Sequence, residues 1–346
     1  MINAPSCLSS AQLARTEAEV EAFFRAKRVL VTGAAGFIGR HVVRRLSELG
    51  ARVIGLDRAP HAAFEGAEWI SADLLAFDPS GFKITNLDVV IHLAAVLGVV
   101  AAAVDPAKTW LVNVEGTRSV IQLAEASGTS YFCSFSSSEI YGEPDVLPVT
   151  EEAMAKPQST YARSKLEAEH LVVRYAKATN TPTSVIRPFN VYGPGQRVDF
   201  VVARFLSLAL MGTAPTVIGD GLQQRSFTYI TDLVDGTLLS IARNRMPGRQ
   251  YNIAGECAVT IGELAQRIVL LTHCPAPPVL VPLTATGRPL DSEIVHRVPS
   301  IQRAQTELGY TPRVSLGEGL ARTLDAMKAE RIRPPGLTVL TRENSP

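Results

Sequence analysis

The sequence predicts an α/β protein with a doubly wound parallel sheet and a smaller C-terminal lobe, and three observations predict it. Short apolar, β-rich runs alternate with stretches of helical spacing through the first half of the chain. Three glycines at three-residue intervals stand directly between the first such strand and the first such helix. Beyond residue 188 the alternation loosens, and proline and glycine become frequent.

Taken in order, residues 1–27 read as an appended segment in which Ser9 or Ser10 caps a short helix through Ala11–Phe24. Glu17, Glu19 and Glu21, and the lack of a leader-length apolar run, argue against a signal peptide. Arg28–Thr32 is a buried parallel strand by composition, and the glycine-rich turn Gly33-Ala-Ala-Gly36-Phe-Ile-Gly39 follows it. A helix over His41–Leu49 buries Val42, Val43, Leu46 and Leu49 and stops at Gly50. A second strand, Arg52–Leu56, ends at Asp57. Further strands are expected at Trp69–Ser71, Val89–Leu93, Tyr131–Phe135 and Thr183–Ile186, with helices at Pro106–Ser127 and Tyr161–Thr179. The longest apolar run, Val89–Val104, is too short to span a bilayer and is closed by Asp88 and Asp105, so it reads as a buried strand entering a loop and helix. Later helices are expected at Phe200–Met211, Asp232–Ala242, Ile261–Leu271 and Leu316–Ala329, and a polar tail at Ile332–Pro346. The expected division is an extension at 1–27, a nucleotide-binding domain at 28–188 to which segments around 225–255 return, a lobe at 189–330, and a tail at 331–346.

Composition narrows the class. A chain of 346 residues with 46% apolar residues suggests about two domains with cores of their own. Only 19% of residues are charged, which excludes global disorder. Lysine and arginine number 34 against 33 acidic residues, which argues against nucleic-acid binding by bulk charge and against a polybasic membrane anchor. Cys7, Cys133, Cys257 and Cys274 are scattered with no C-x-x-C pair, so free thiols in a reducing cytoplasm are expected and no metal site.

Two constellations carry chemistry. Glycine at 33, 36 and 39 lets the backbone turn tightly and approach a pyrophosphate, which the N–H groups and positive dipole end of the following helix attract. Asp57 stands where a carboxylate accepts ribose hydroxyls and repels a 2′-phosphate, which favours NAD over NADP; Arg58 beside it is the feature that suits NADP. Asp73-Leu74, after the third strand, either bonds an adenine edge or caps a turn. The second constellation is Tyr161-Ala-Arg-Ser-Lys165, one helical turn that sets phenol and ammonium on one face. A nearby ammonium favours the phenolate. Such a pair can take a proton from a sugar hydroxyl while hydride leaves the same carbon.

At these residues the sequence resembles the extended short-chain dehydrogenase/reductases, specifically the NAD-dependent sugar-nucleotide epimerase/dehydratase family with its Rossmann-type fold. The likeness covers about Lys27 to Ala329. It rests on Thr32–Gly39, His92-Leu-Ala-Ala95, Asn113-Val-Glu-Gly-Thr117, Ser136-Ser-Ser138, Tyr161 with Lys165, Arg187-Pro-Phe-Asn190-Val-Tyr-Gly-Pro194, Arg225-Ser-Phe-Thr-Tyr-Ile-Thr-Asp232 and Tyr251-Asn252, in the family's order. The resemblance implies that Tyr161 is the base on the sugar 4-hydroxyl, that Lys165 holds the nicotinamide ribose and tunes Tyr161, and that Ser137 bonds the same hydroxyl. It implies that Phe37, Ile38, Leu93, Ala94, Ala95 and Asn113 lie along the cofactor, with Pro188 at the nicotinamide. It places Ser138, Asn190 and Arg225 on the nucleotide-sugar substrate.

The shared chemistry the resemblance implies is transient oxidation at sugar carbon 4, and the outcome after that ketone is open. Ser137-Ser138-Glu139 is similar to the Thr-Ser-Glu of GDP-mannose dehydratases and UDP-glucuronate decarboxylases, and it offers a carboxylate near carbon 5. Gly193-Pro-Gly-Gln-Arg197-Val-Asp199 is similar to a segment of UDP-glucuronate 4-epimerases in which the arginine holds the uronate. The expectation is a 4-epimerase of a UDP-hexose or UDP-hexuronate. A dehydratase or decarboxylase using Glu139 is the alternative, and an NADPH-dependent reductase or non-catalytic NAD(P)-binding regulator the more distant rivals. Arg288 and Arg297 are candidate substrate contacts. The family commonly dimerises through two helices per subunit, here Pro106–Ser127 and Tyr161–Thr179.

Overall fold

The computed structural model describes residues 9–59, 67–76, 84–255, 257–282 and 294–329. Its centre is a seven-stranded sheet in which every neighbouring pair runs parallel. The strands are β1 (Arg28–Thr32), β2 (Arg52–Asp57), β3 (Ala67–Ser71), β4 (Val89–His92), β5 (Tyr131–Phe135), β6 (Thr183–Pro188) and, far along the chain, β11 (Arg249–Ile253). Their spatial order is β11-β6-β5-β4-β1-β2-β3. The order reverses between β1 and β4, so the crevice at their C-terminal ends is where this topology takes ligands.

Sequence accounts for each layer. β1, β4 and β5 are buried on both faces, as their unbroken apolar runs require between two helical layers. Helix α1 (Ser10–Phe24) starts at Ser9 in a capping box with Gln12 and buries Val20 and Phe24. Helix α2 (Phe37–Glu48) follows Gly36 as its N-cap, starts four residues before the expected His41, and buries Gly39, Val42, Val43 and Leu46. At about 1.5–3 kcal/mol per fully buried aliphatic side chain, that face alone holds α2 to the sheet. The long helix expected over Pro106–Ser127 is broken into α4 (Pro106–Trp110), a π-helical turn (Leu111–Glu115) and α5 (Gly116–Ser127), preceded by the short α3 (Val99–Val104). Helix α6 (Thr160–Thr179) is capped by Ser159 and ends at Asn180 in the left-handed conformation.

The later chain builds smaller sheets beside this core. Strands β7 (Val191–Tyr192) and β10 (Thr228–Tyr229) pair in parallel, as do β8 (Thr216–Ile218) and β13 (Val279–Val281). Strand β9 (Gln224–Ser226) lies between β12 (Ala258–Thr260) and β14 (His296–Arg297). Helices α7 (Val201–Leu210), α9 (Ile261–Thr272), α10 (Gln302–Leu308) and α11 (Leu316–Ala329) fall at or within two residues of their expected ranges where one was expected; α10 was not. Helix α8 (Ile230–Arg243) and β11 return to the main sheet, and α1 packs on α8 with Arg243 of α8 paired to Glu19. The tail and Arg288 lie outside the described residues.

Candidate active site

The glycine-rich turn leaves the C-terminal end of β1 in the crevice. Gly33 has a φ of +69°, and a Cβ there would meet the backbone nitrogen of Ala94 at 2.7 Å. The two backbones touch, so the turn after β1 and the segment Leu93–Ala95 after β4 form one wall. A Cβ on Gly39 would meet the Gly33 carbonyl at 2.1 Å, so helix and turn pack closely only through glycine. No side chain caps the N-terminus of α2. Its first N–H groups are therefore available to an anion, and the turn fits a dinucleotide pyrophosphate. Asp57 ends β2 beside this turn and accepts N–H bonds from Ala35 (3.1 Å) and Ala59 (3.0 Å). It shapes the turn through these two bonds. Arg58 next to it is exposed. Asp73 caps a turn, its Oδ1 accepting from the Leu75 amide at 3.0 Å, and Leu74 is buried in the core against Gly116. Phe37 and Ile38 are half-buried on the first turn of α2.

Strand β5 delivers Ser136–Ser138 and a 3₁₀ turn (Ser138–Tyr141) to the same end of the sheet, and the first turns of α6 bring Tyr161 and Lys165 beside them. Tyr161 is 7% exposed and Lys165 6%. Burial pushes the Tyr161 phenol up to about 12, against the Ser137 hydroxyl that favours its ionised form; Glu139 adds to the rise and Arg297 opposes it. Burial pushes the Lys165 ammonium down to about 8, with Glu169 opposing. The side chains that act on the phenol are thus Ser137, Glu139 and Arg297, and Arg297 is the one the Tyr161–Lys165 spacing did not announce. Arg297 comes from β14, and its Nη1 lies 2.6 Å from Glu139 Oε1, with the two side chains 15% and 17% exposed.

Neighbouring residues hold this set in place. The Asn113 side chain, in the π-helical turn, accepts from the Val96 amide at 2.7 Å and donates to the Val96 carbonyl and, at 2.9 Å, to Ser164 Oγ. It braces the wall after β4 against the helix carrying Tyr161. His92 is buried with Nδ1 on Thr32 Oγ1 at 2.7 Å and Nε2 on Thr117 Oγ1 at 3.0 Å, and burial, with Lys165, pushes it down to about 3. It is neutral and serves the packing. Tyr141 pins the turn bearing Glu139: its hydroxyl donates to Asn252 Oδ1 at 2.7 Å and accepts from Arg187, which pairs with buried Glu169.

The remaining substrate candidates scatter. Asn190, at a φ of +35°, donates to the Ser226 carbonyl at 2.9 Å, and Pro188 ends β6 half-buried near it. Arg225 donates to the carbonyls of Gln224, Val295 and Ile294. Arg197 is exposed and paired with Asp199, two residues on.

Comparison with known proteins gives the family. Residues 29–254 match the model of the NAD dependent epimerase/dehydratase family. The chain belongs to that family. It is 32% identical to the UDP-N-acetyl-alpha-D-glucosaminuronate decarboxylase of Bacillus cytotoxicus, over 86% of this chain and 97% of that one. It is 31% identical to the UDP-glucose 4-epimerase of Mycolicibacterium smegmatis, again over 86% and 97%. Among solved structures, a variant of the Bacillus cereus UDP-glucuronic acid 4-epimerase, in complex with NAD and a fluorinated UDP-glucuronic acid, superposes with a TM-score of 0.80 at 30% identity, over 88% of this chain and all of that one. The protein is therefore an enzyme of a nucleotide-sugar family with a Rossmann-type fold. No helix among the described residues is long and apolar enough to cross a membrane.

Proposed function

We propose that this enzyme binds NAD and a UDP-hexuronate, oxidises sugar carbon 4, and releases the carboxylate on carbon 5 as carbon dioxide. The observation that carries this reading is the Glu139–Arg297 pair beside Tyr161. Bound along Gly33–Gly39, NAD supplies the hydride acceptor for carbon 4 and later the hydride donor. Tyr161 takes the proton of the 4-hydroxyl, Ser137 orients that hydroxyl, and Lys165 lowers the cost of forming the phenolate. A ketone at carbon 4 makes the substrate a β-keto acid. The electron pair of the bond to the carboxyl carbon can then move into the ring as an enolate while carbon dioxide leaves.

Glu139 decides the fate of that keto acid. It takes up the Arg297 guanidinium that would otherwise hold the substrate's carboxylate, which favours departure of that carboxylate as a neutral molecule. Arg297 is already matched by Glu139, so it does not neutralise the substrate's acid as well. Arg197, whose segment resembles the uronate-holding arginine of 4-epimerases, points to Asp199 at the surface. Similarity to a hexuronate decarboxylase supports the same outcome. The 4-epimerase reading keeps support from the similarity to the UDP-glucuronic acid 4-epimerase structure, and it shares every step up to the ketone. Diphosphate contacts are proposed for Asn190 and Arg225, and Ser138 is proposed to line the sugar.

The test is incubation with UDP-glucuronate, UDP-N-acetylglucosaminuronate and UDP-glucose, with products identified by mass and NMR. Loss of carbon dioxide is the expected result. Formation of an isomer with the carboxylate retained means a 4-epimerase, and loss of water means a dehydratase. We also propose a homodimer through α4, α5 and α6, in which the exposed Trp110 and Leu111 become covered. Sedimentation equilibrium checks it, and a monomer at micromolar concentration refutes it.

A further inference from the structure

Arg297 can act on Glu139 only if β14 is held over the 3₁₀ turn, and β14 itself is poorly suited to hold its own place. It is two residues long, it is the edge of a three-stranded sheet, and its ladder to β9 consists of His296 opposite Gln224 and Arg297 opposite Arg225. Short edge strands slip in register easily.

Backbone bonds flank it, from the Gln224 amide to the Val295 carbonyl and from the Val149 amide to the Val298 carbonyl, and a pair of charged side chains grips the short stretch of backbone just ahead of Arg297. Glu143, just beyond the turn that carries Glu139, accepts from the Val295 amide at 2.5 Å, from the His296 amide at 3.3 Å, and meets His296 Nδ1 at 2.7 Å. Arg225 donates to the carbonyls of Ile294 and Val295 at 2.6 and 2.9 Å. The carboxylate thus takes the N–H groups and the guanidinium takes the C=O groups of the residues just ahead of Arg297. Burial raises the Glu143 carboxyl, but the bonds from His296 and the two amides outweigh it and hold the carboxyl below its usual range. The acceptor is therefore ionised at neutral pH, and bonds to an ionised acceptor are the strong kind.

We propose that Glu143 is a positioning residue: it sets the register of the strand that carries Arg297 and so seats Arg297 on Glu139. Glu139, in the 3₁₀ turn, and Glu143, two residues beyond its end, hold neighbouring positions of one strand, Arg297 and His296. The turn and the strand are thereby locked as a unit. The proposal rests on the reading that the Glu139–Arg297 pair governs the step after carbon-4 oxidation.

The test uses the full chain with Glu143→Gln and, separately, His296→Gln, which leaves both backbone bonds to Glu143 in place. Amide hydrogen exchange over 294–297 is read without substrate, and carbon-4 oxidation and carbon dioxide release are timed separately with a UDP-hexuronate. For Glu143→Gln, protection of Val295 and His296 should fall, and carbon dioxide release should slow about 10- to 100-fold, as displacement by about 1 Å does. Appearance of the reduced cofactor and KM should stay close to wild type, so that the loss falls on kcat alone. His296→Gln should lie between wild type and Glu143→Gln in both readouts. Unchanged protection, or equal slowing of oxidation and release, overturns the proposal. If the wild-type enzyme oxidises its substrate but releases no carbon dioxide, the decarboxylase reading fails by itself. The exchange result, and the ratio of the oxidation step to whichever step comes after it, then still decide the role of Glu143.

Discussion

Replacing Glu139 by Gln keeps the shape of the side chain and removes its charge, which isolates the pair with Arg297. Both side chains are about five-sixths buried, and they form an ion pair with Nη1 2.6 Å from Oε1. The Nε of Arg297 is already buried without a partner. The variant therefore strands a largely desolvated guanidinium with a neutral acceptor. A charge-assisted bond contributes about 1.5–3 kcal/mol, and an uncompensated buried charge costs about 3–5 kcal/mol. Residual solvent access places the loss near the lower figures, about 2–3 kcal/mol. Tm should fall by several degrees, and the double variant with Arg297→Met should recover part of it, because the second change removes the stranded charge. On the activity side, carbon dioxide release should fall by about 10²–10⁴-fold while carbon-4 oxidation persists. The assay is thermal unfolding of the two single variants and the double variant, with product mass followed over time. A Glu139→Gln enzyme that releases carbon dioxide within a few-fold of wild type would refute the role given to this pair. So would a double variant less stable than either single one.

Other expectations bear on separate parts of the site. Tyr161→Phe should lower carbon-4 oxidation by about 10²–10⁴-fold with any substrate, measured as reduced cofactor, since it removes the hydroxyl proposed to take the proton. Gly39→Ala should abolish NAD binding in calorimetry, because its Cβ would meet the Gly33 carbonyl at 2.1 Å and the turn must open. Burial pushes the Asp235 carboxyl of α8 up to about 6, with Arg313 and Arg45 opposing. A carboxyl whose folded value is raised stabilises the fold when protonated, and that contribution is lost as pH rises through about 6. Asp235→Asn should therefore raise Tm relative to wild type at pH 7–8, and the advantage should vanish as pH falls below about 4; an advantage independent of pH contradicts the shift.

The parts of the fold that follow local rules were legible in the chain. Ser9 with Gln12 begins a helix by reciprocal capping, and Tyr131–Phe135 is a strand because an apolar run between two helical layers can be little else. Tyr161 and Lys165 are one turn apart on α6, and the structure sets Tyr161 against Ser137 and Lys165 near His92. What stayed hidden depends on distant pairing. Nothing near residue 139 or 297 announces that these two meet, since charge partners far apart in sequence leave no periodic trace. The sequence offered Arg225 as a substrate contact and gave no sign that it also donates to the Ile294 and Val295 carbonyls, a pairing set by distant chain segments. The π-helical turn at Leu111–Glu115 was invisible for another cause. An extra residue in one helical turn does not disturb the apolar spacing on either side, and only Asn113, reaching back to Val96 and across to Ser164, shows why the turn is there.

The position of β11 has a consequence for how the molecule is made. Ser184 of β6 faces Arg249 of β11 across the sheet, and all of β7 to β10, α7 and α8 is synthesised between them. Until residue 253 has left the ribosome, β6, paired with β5 on one side, is an uncovered edge whose backbone groups toward β11 are unpaired. The nascent chain must carry that sticky edge while it makes β7 to β10, α7 and α8. Mutations that slow closure by β11 should therefore lower the yield of soluble protein during translation more than they lower the stability of protein already folded.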